Sequence, residues 1–393
     1  MSQNTKSNPM KNLNPEINVK TYESFISKKF ISKEQIANII IQANKDTNFL
    51  NINPEDRKIW QIILHNYIQD NLTADDFVLS GHEVDELLRL NPKDIIRYCV
   101  YRYKYNIYPK LYIVKKYPPC VQIEIASICN FRCIMCYQAD ESFSKKSNGY
   151  MGFMNMNLFK SCIDDLEGNV EAVTFASRGE PTLNPLFSEM LEYCRGKFIA
   201  LKLNTNASLL DEAMCHTLLK SDLQTIIFSI DAAKKETYEK IRVNGNFDSV
   251  ISNLKKFSEI KEKFYPNTKI ITRVSGVKIN DSQDILDMDK FFSKYVDSSA
   301  FVNYNPWETA YTNPINKLKK PCSDLFRRMF IWWDGVINPC DFDYKSVLSP
   351  SKYEVNSSTL SDIWLSESYN NLRNIHLQGQ RSTKAPCNRC VVI

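Results

Sequence analysis

Between Pro118-Pro119 and Asn305, short β-branched runs alternate with amphipathic stretches, and this alternation constrains the fold more than any other feature of the chain. Strand candidates fall at 121–126, 172–176, 199–203, 225–230, 269–274 and 300–304, with helical patterns at 158–166, 186–194, 213–219 and 250–260. A βα unit needs roughly 30 residues, so the span holds about six of them. Strands that alternate with helices argue for a parallel sheet with helices outside it. Six units are too few for a closed eight-stranded barrel of roughly 250 residues. The expectation is therefore α/β: a partial (β/α)6 barrel over residues 118–310.

The flanks read differently. Residues 21–115 have a helical period, with Asn53-Pro54 and Asn91-Pro92 as helix starts and Ser80-Gly81-His82-Glu83 at capping-box spacing. Tyr98, Tyr101 and Tyr105 recur on one helical face among Arg97, Arg102 and Lys104. Either they form a stacking platform for nucleic acid, or they pack against the rest of the protein. Residues 320–393 hold strand-like pieces at 329–333 and 335–337, a helix at 361–374 and a terminal cysteine pair, which suggests a small cysteine-rich domain. Residues 1–20 are polar and Asn-rich, so a disordered tail is expected there, without the apolar core of a signal peptide. Hydrophobic residues make up 43% of the chain and charged residues 24%, an ordinary globular balance. The net charge of +5 comes without a block of like charge, so nucleic acid is not an expected partner. No apolar run approaches the ~18 residues of a membrane span, so no membrane association is expected and the location is expected to be cytoplasmic.

Twelve cysteines in a long chain without a secretory pattern point to metal ligands more than to disulfides. Cys99, Cys120, Cys162, Cys194 and Cys215 stand singly among apolar residues and read as core. Cys129, Cys133 and Cys136 form C-x3-C-x2-C directly after the first barrel strand. A structural zinc site wants four closed ligands. Three soft thiolates suit an iron–sulfur cubane with one iron left open for a substrate or cofactor. Ligands of parallel α/β barrels gather at the C-terminal ends of the strands, where this motif lies.

With these residues the chain resembles the radical S-adenosylmethionine (SAM) superfamily. C-x3-C-x2-C is that family's cluster motif; Met135 stands where an aromatic residue is usual, and Tyr137 follows the last cysteine. Arg178-Gly179-Glu180-Pro181 is similar to the family's G-G-E-P, with Arg178 in place of the first glycine. The resemblance implies that Gly179 and Glu180 hold the SAM amino group, that Asn204, Asn206, Ser229 and Asp231 are SAM-binding strand ends, and that Arg273 meets the SAM carboxylate. Glu180, at a strand end, is expected to serve SAM and to matter little for folding.

Cys322, Cys340, Cys387 and Cys390 supply four thiolates for a closed site. With Gly335 they resemble the C-terminal SPASM/Twitch extension of the same superfamily, which implies one auxiliary 4Fe-4S cluster; zinc remains the alternative, since four thiolates also make a zinc-ribbon site. The implied catalysis is reductive cleavage of SAM at the Cys129/Cys133/Cys136 4Fe-4S cluster, followed by abstraction of a substrate hydrogen. A low-potential donor such as flavodoxin or ferredoxin is the implied electron source. The auxiliary cluster would accept the second electron in the dehydrogenation of a small molecule such as a sugar or aminocyclitol. A peptide or protein maturase and a non-catalytic electron carrier are the alternatives. Arg273, Tyr304 and Glu308 are candidate bases by position, and the N-terminal helices or the C-terminal domain are candidate lids.

Overall fold

In the computed structural model, the described residues are 24–27, 31–46, 52–69, 76–280 and 283–393; the expected tail at 1–20 lies outside them. Among the described residues ten strands form one sheet: β1 (Ser24–Ser27), β2 (Cys120–Ile123), β3 (Ala172–Phe175), β4 (Ala200–Thr205), β5 (Thr225–Ser229), β6 (Ile271–Lys278), β7 (Ser298–Asn303), β8 (Arg328–Ile331), β9 (Val336–Asn338) and β10 (Ser351–Lys352). All six strands expected from the alternation are present. β2 to β7 are parallel and lie side by side in chain order. That singly wound order is what right-handed βα crossovers produce when each helix packs on the same face. Helices Met156–Leu166, Phe187–Tyr193, Glu212–Lys220, Phe247–Phe264 and Ile285–Phe292 carry the crossovers, and their apolar faces share one core with the strands.

The sheet runs beyond the six units at both edges. β1 pairs antiparallel with β7. β8 pairs parallel with β2, and β9 and β10 follow it as antiparallel neighbours. The C-terminal segment is thus anchored to the barrel through main-chain hydrogen bonds before it reaches its last two cysteines. The expected helix at 361–374 is two helices, Leu360–Trp364 and Glu367–Leu377, the second capped by Ser366.

The N-terminal helices α1 (Lys33–Asp46), α2 (Pro54–Ile68), α3 (Gly81–Leu87) and α4 (Ile95–Leu111) build a second core. Tyr98, Tyr101 and Tyr105 of α4 are buried in it, so their faces offer no stacking platform. That core also includes Cys120, Ala172 and Ala200, the first residues of β2, β3 and β4. The helices therefore close the N-terminal end of the barrel. This corrects the expectation that they might cover its mouth.

Buried charges seal that end. Glu83 of α3 pairs with Arg102 and accepts a hydrogen bond from the Ser80 N–H (2.7 Å). Glu86 accepts from the Tyr98 hydroxyl (2.7 Å) and pairs with Lys202 of β4, while Arg273 of β6 lies 4.0 Å away. Lys202 and Arg273 sit in the first halves of their strands, so their side chains meet α3 below the sheet's midline.

Candidate active site

The C-terminal ends of β2 to β7 surround a cavity of about 280 Å³. Cys129, Cys133 and Cys136 all line it, on the loop that follows β2. Two backbone hydrogen bonds brace this loop, Arg132 N–H to the Val243 carbonyl (2.8 Å) and Ile134 N–H to the Ile241 carbonyl (3.0 Å). Burial raises all three thiols; Cys129 is pushed up to about 12, with the negative charge of Glu180 adding to the effect. Thiolates packed this way are costly without a cationic centre, which fits an iron–sulfur cluster.

The SAM motif wraps against the same loop. A Cβ on Gly179 would stand 2.4 Å from the Ala126 carbonyl oxygen and 2.6 Å from that of Ile128, so only glycine allows this approach. Glu180 is 2% exposed. Its Oε1 accepts from Thr182 Oγ1 (2.6 Å) and Thr205 Oγ1 (2.7 Å), and its Oε2 from the Asn206 N–H (2.7 Å). The carboxylate thereby ties the end of β3 to the end of β4. This corrects the reading of Glu180 as a position of little weight in folding.

Asn204, Asn206, Ser229 and Asp231 also line the cavity. Asn206 is held by Asn130 (2.9 Å) and Ser208 (2.6 Å). Asp231 is fully buried and committed elsewhere: one oxygen accepts from the Val277 N–H (2.8 Å), and the other pairs with Arg242. Both of its oxygens already have protein partners. Arg273 is not at the site at all. It is 1% exposed, donates from Nε to Ser298 Oγ (3.2 Å) and stacks over Phe25, at the opposite end of the barrel. Nor do Tyr304 and Glu308 line the cavity; they hydrogen-bond each other, and burial raises the Glu308 carboxyl.

Five buried polar atoms of the lining have no hydrogen-bond partner: Gln138 Oε1, Ser177 Oγ, Asn204 Oδ1, Asn305 Oδ1 and Trp307 Nε1. Orphaned buried polar groups are costly, so a cavity with five of them is shaped for a ligand with donors and acceptors. SAM, with an amino acid, a ribose and an adenine, fits that description.

Arg178 shows what became of the missing glycine. Its fork donates to Glu124 from Nε and Nη2 (2.6 Å each), and Nη1 donates to the Tyr344 carbonyl (2.8 Å). The guanidinium also lies 4.1 Å from the Trp332 ring centroid. The SAM motif is thus tied to the C-terminal segment by a buried side chain that sequence reading marked only as a deviation.

In that segment the structure brings Cys322, Cys340, Cys387 and Cys390 together. Burial raises the Cys340 and Cys387 thiols well above their usual range, and the neighbouring cysteines raise them further. Arg381, buried and unnoticed in the sequence, donates to the carbonyls of Cys387 (3.1 Å), Cys390 (2.7 Å) and Val392 (2.7 Å) and so shapes the terminal pair. Between the two cysteine groups lies an aromatic layer of Tyr137, Phe143, Phe342 and Tyr344, with Cys136 on its border together with Cys322 and Cys340. Tyr137 stacks parallel to Trp307 (5.9 Å between centroids) and packs on Tyr344 (5.3 Å).

A six-stranded parallel sheet with three thiols lining the cavity at its C-terminal end, and four more cysteines in a docked extension, carries the donor set of an iron–sulfur protein, although no group of three or more ligands preformed for a metal ion stands among the described residues. Family comparison agrees: the radical SAM superfamily model matches residues 123–288, and the SPASM iron–sulfur cluster-binding domain matches 322–391. The chain thus carries a radical SAM domain followed by a C-terminal SPASM-type domain. Its cofactors are SAM, the 4Fe-4S cluster that binds it, and auxiliary iron–sulfur.

Among relatives, the cofactor-modifying protein for tungsten-containing aldehyde ferredoxin oxidoreductase of Pyrococcus furiosus is 24% identical over 63% of this chain and 81% of its own length. The mycofactocin maturase MftC of Mycobacterium tuberculosis is 24% identical over 42% of this chain and 40% of its own length. The solved structure of Streptococcus suis SuiB bound to SAM aligns with a TM-score of 0.48 at 14% identity, covering 88% of this chain and 84% of that one. No described helix is long and apolar enough to cross a membrane.

Proposed function

We propose that this chain is a radical SAM maturase, which abstracts a hydrogen from a peptide or protein substrate and oxidises it. The observation that carries the reading is the shared cavity, where the three thiols of the first motif meet the ends of all six parallel strands. In this reading Cys129, Cys133 and Cys136 hold the SAM-binding cluster, and Cys322, Cys340, Cys387 and Cys390 hold one auxiliary cluster. Bound there, reduced cluster and SAM supply the family's hydrogen-abstracting chemistry, with a flavodoxin or ferredoxin as electron donor.

The protein's own residues position and shield. Gly179 lets the SAM motif approach the cluster loop, and Glu180 locks the ends of β3 and β4 that carry Asn204 and Asn206. Asn204 and Ser229 face the ligand. The stacked rings of Trp307 and Tyr137 form an aromatic wall that keeps water from the reacting carbon. The C-terminal segment is the lid, since the N-terminal helices close the other end.

The name of one relative, a maturase, favours a peptide substrate. Arg178, Glu180, Asp231 and Arg242, which line the cavity, are all engaged with protein partners, so neutral amide, hydroxyl and indole atoms face the ligand. In this reading those atoms face SAM, so the lining serves equally the second reading, dehydrogenation of a small uncharged polyol such as a sugar or aminocyclitol. A non-catalytic electron carrier would have no use for the SAM-shaped cavity.

Anaerobic reconstitution with SAM and dithionite tests the reading by mass spectrometry. 5′-Deoxyadenosine should form, and a candidate precursor peptide should lose hydrogen while polyols stay unchanged. Modification of a polyol and of no peptide would favour the second reading. Absence of 5′-deoxyadenosine from iron-replete protein would overturn both.

A further inference from the structure

We propose that Arg242 sets the reduction potential of the SAM-binding cluster by hydrogen-bonding the Cys133 sulfur, with Asp231 holding the guanidinium in place. The inference rests on the reading of Cys133 as a cluster ligand. Arg242 belongs to none of the motifs, yet it lies between two of them. Its Nη1 is 3.6 Å from Cys133 Sγ, and its Nε donates to the Asp231 carboxylate at the end of β5. The side chain is 11% exposed and that of Asp231 fully buried.

The geometry is held from both sides. The remaining oxygen of Asp231 accepts from the Val277 N–H of β6, and the backbone on either side of Arg242 accepts from Arg132 and Ile134 of the cysteine loop. Arg242 therefore cannot shift without moving the loop that carries the thiols.

Hydrogen bonds to cluster sulfurs are one of the levers on iron–sulfur potentials. One-electron reduction adds negative charge to the cluster and its sulfurs, so a cationic donor stabilises the reduced form more than the oxidised one. The guanidinium is charged at every working pH, so this bias is permanent. Asp231 attenuates it while fixing its direction.

The test is a redox titration of the reconstituted full chain, monitored by electron paramagnetic resonance without SAM. The relevant signal is the one that changes when SAM is then added. Arg242→Gln should lower the potential by at least a tenfold change in the reduction equilibrium, about 59 mV for one electron. Asp231→Asn should move it the other way, because the guanidinium loses its counter-charge. Arg242→Gln leaves a buried carboxylate unpaired and can fail to fold, so the double variant Asp231→Asn/Arg242→Gln is measured beside it and should also be lowered. Unchanged potentials in iron-replete variants, or shifts of one sign in both single variants, would overturn the proposal. Weaker SAM binding with an unchanged potential would do so too, and would make Arg242 a SAM ligand. If Cys133→Ala keeps the SAM-sensitive signal, the ligand reading fails instead.

Discussion

The two ends of the barrel treat buried polarity in opposite ways. At the N-terminal end charge faces charge: Glu83 meets Arg102, and Glu86 meets Lys202 and Arg273. At the C-terminal end Asn204, Asn305, Trp307, Ser177 and Gln138 each leave a buried polar atom unpaired around a cavity. The first end pairs its buried charges within the protein, although Arg102 Nε, Gln224 and Thr225 Oγ1 keep unpaired atoms there too. At the second the unpaired atoms surround a cavity. Buried ion pairs rarely add net stability, but breaking one is expensive. Substitutions at the two ends should therefore fail in different ways.

The largest separation is expected from Cys133→Ala, which should reduce 5′-deoxyadenosine formation to background while leaving the N-terminal helices folded. Mass spectrometry and circular dichroism on the same preparation check both halves. If that variant cleaves SAM at the parent rate, the upper end is not the site.

Next comes Glu86→Ala at the lower end. It removes the carboxylate that pairs with Lys202 and lies 4.0 Å from Arg273, at a cost of about 3–5 kcal/mol. The unfolding midpoint should drop clearly, while SAM cleavage per intact cluster stays at the parental level. Unchanged stability would mean that α3 is not a plug.

Glu180→Gln blurs the comparison on purpose, because Glu180 is a buried, satisfied group at the upper end. Its amide would turn one acceptor into a donor facing Thr205 and Thr182 or the Asn206 N–H, costing about 1–3 kcal/mol. Both thermal stability and calorimetric SAM affinity should fall. A loss of SAM affinity alone would restore the simpler role expected from the sequence.

The smallest effect is expected at Asp140, which joins the cluster loop to the C-terminal lid through Lys345 (2.7 Å) and the Tyr344 hydroxyl (2.6 Å). Burial alone would raise its carboxyl, but Lys345 and the Ser142 and Tyr344 hydroxyls outweigh it and bring it to about 2. A depressed carboxyl stabilises the fold above its unfolded value near pH 4 and loses that contribution as pH falls through about 2. The side chain is 19% exposed and its partners reach the surface, so the contribution is on the order of 1 kcal/mol. Urea unfolding should show Asp140→Asn slightly weaker than the parent at pH 7, with the gap closing toward pH 2. A gap that widens on acidification would reverse the assignment.

The contrast between the ends also explains what could be read from the chain. The six strands are legible because each is a short β-branched run and the first four are followed by a helical period. Cys129, Cys133 and Cys136, and the Cys387/Cys390 pair, are legible because their spacing is local, whereas Cys322 and Cys340 stand far from them in the chain and join the group only through the family resemblance. Glu180 and Asp231 line the cavity because strand ends define its wall, but their hydrogen-bond partners come from Thr205, Asn206, Val277 and Arg242. None of these is marked by a spacing rule. Arg273 was misplaced because its position along the strand, the third residue of an eight-residue β6, decides which end of the barrel it reaches.

The sequence by itself determined the parallel α/β class, the two groups of thiols and the chemistry they imply, because periodicity and ligand spacing act over a few residues at a time. Only the tertiary structure decided which end of the barrel the N-terminal helices close, that β8 extends the sheet beside β2, and that Arg178, Arg242 and Arg381 join segments far apart in the chain. A long cation finds its partner through space, and burial makes the choice of that partner consequential.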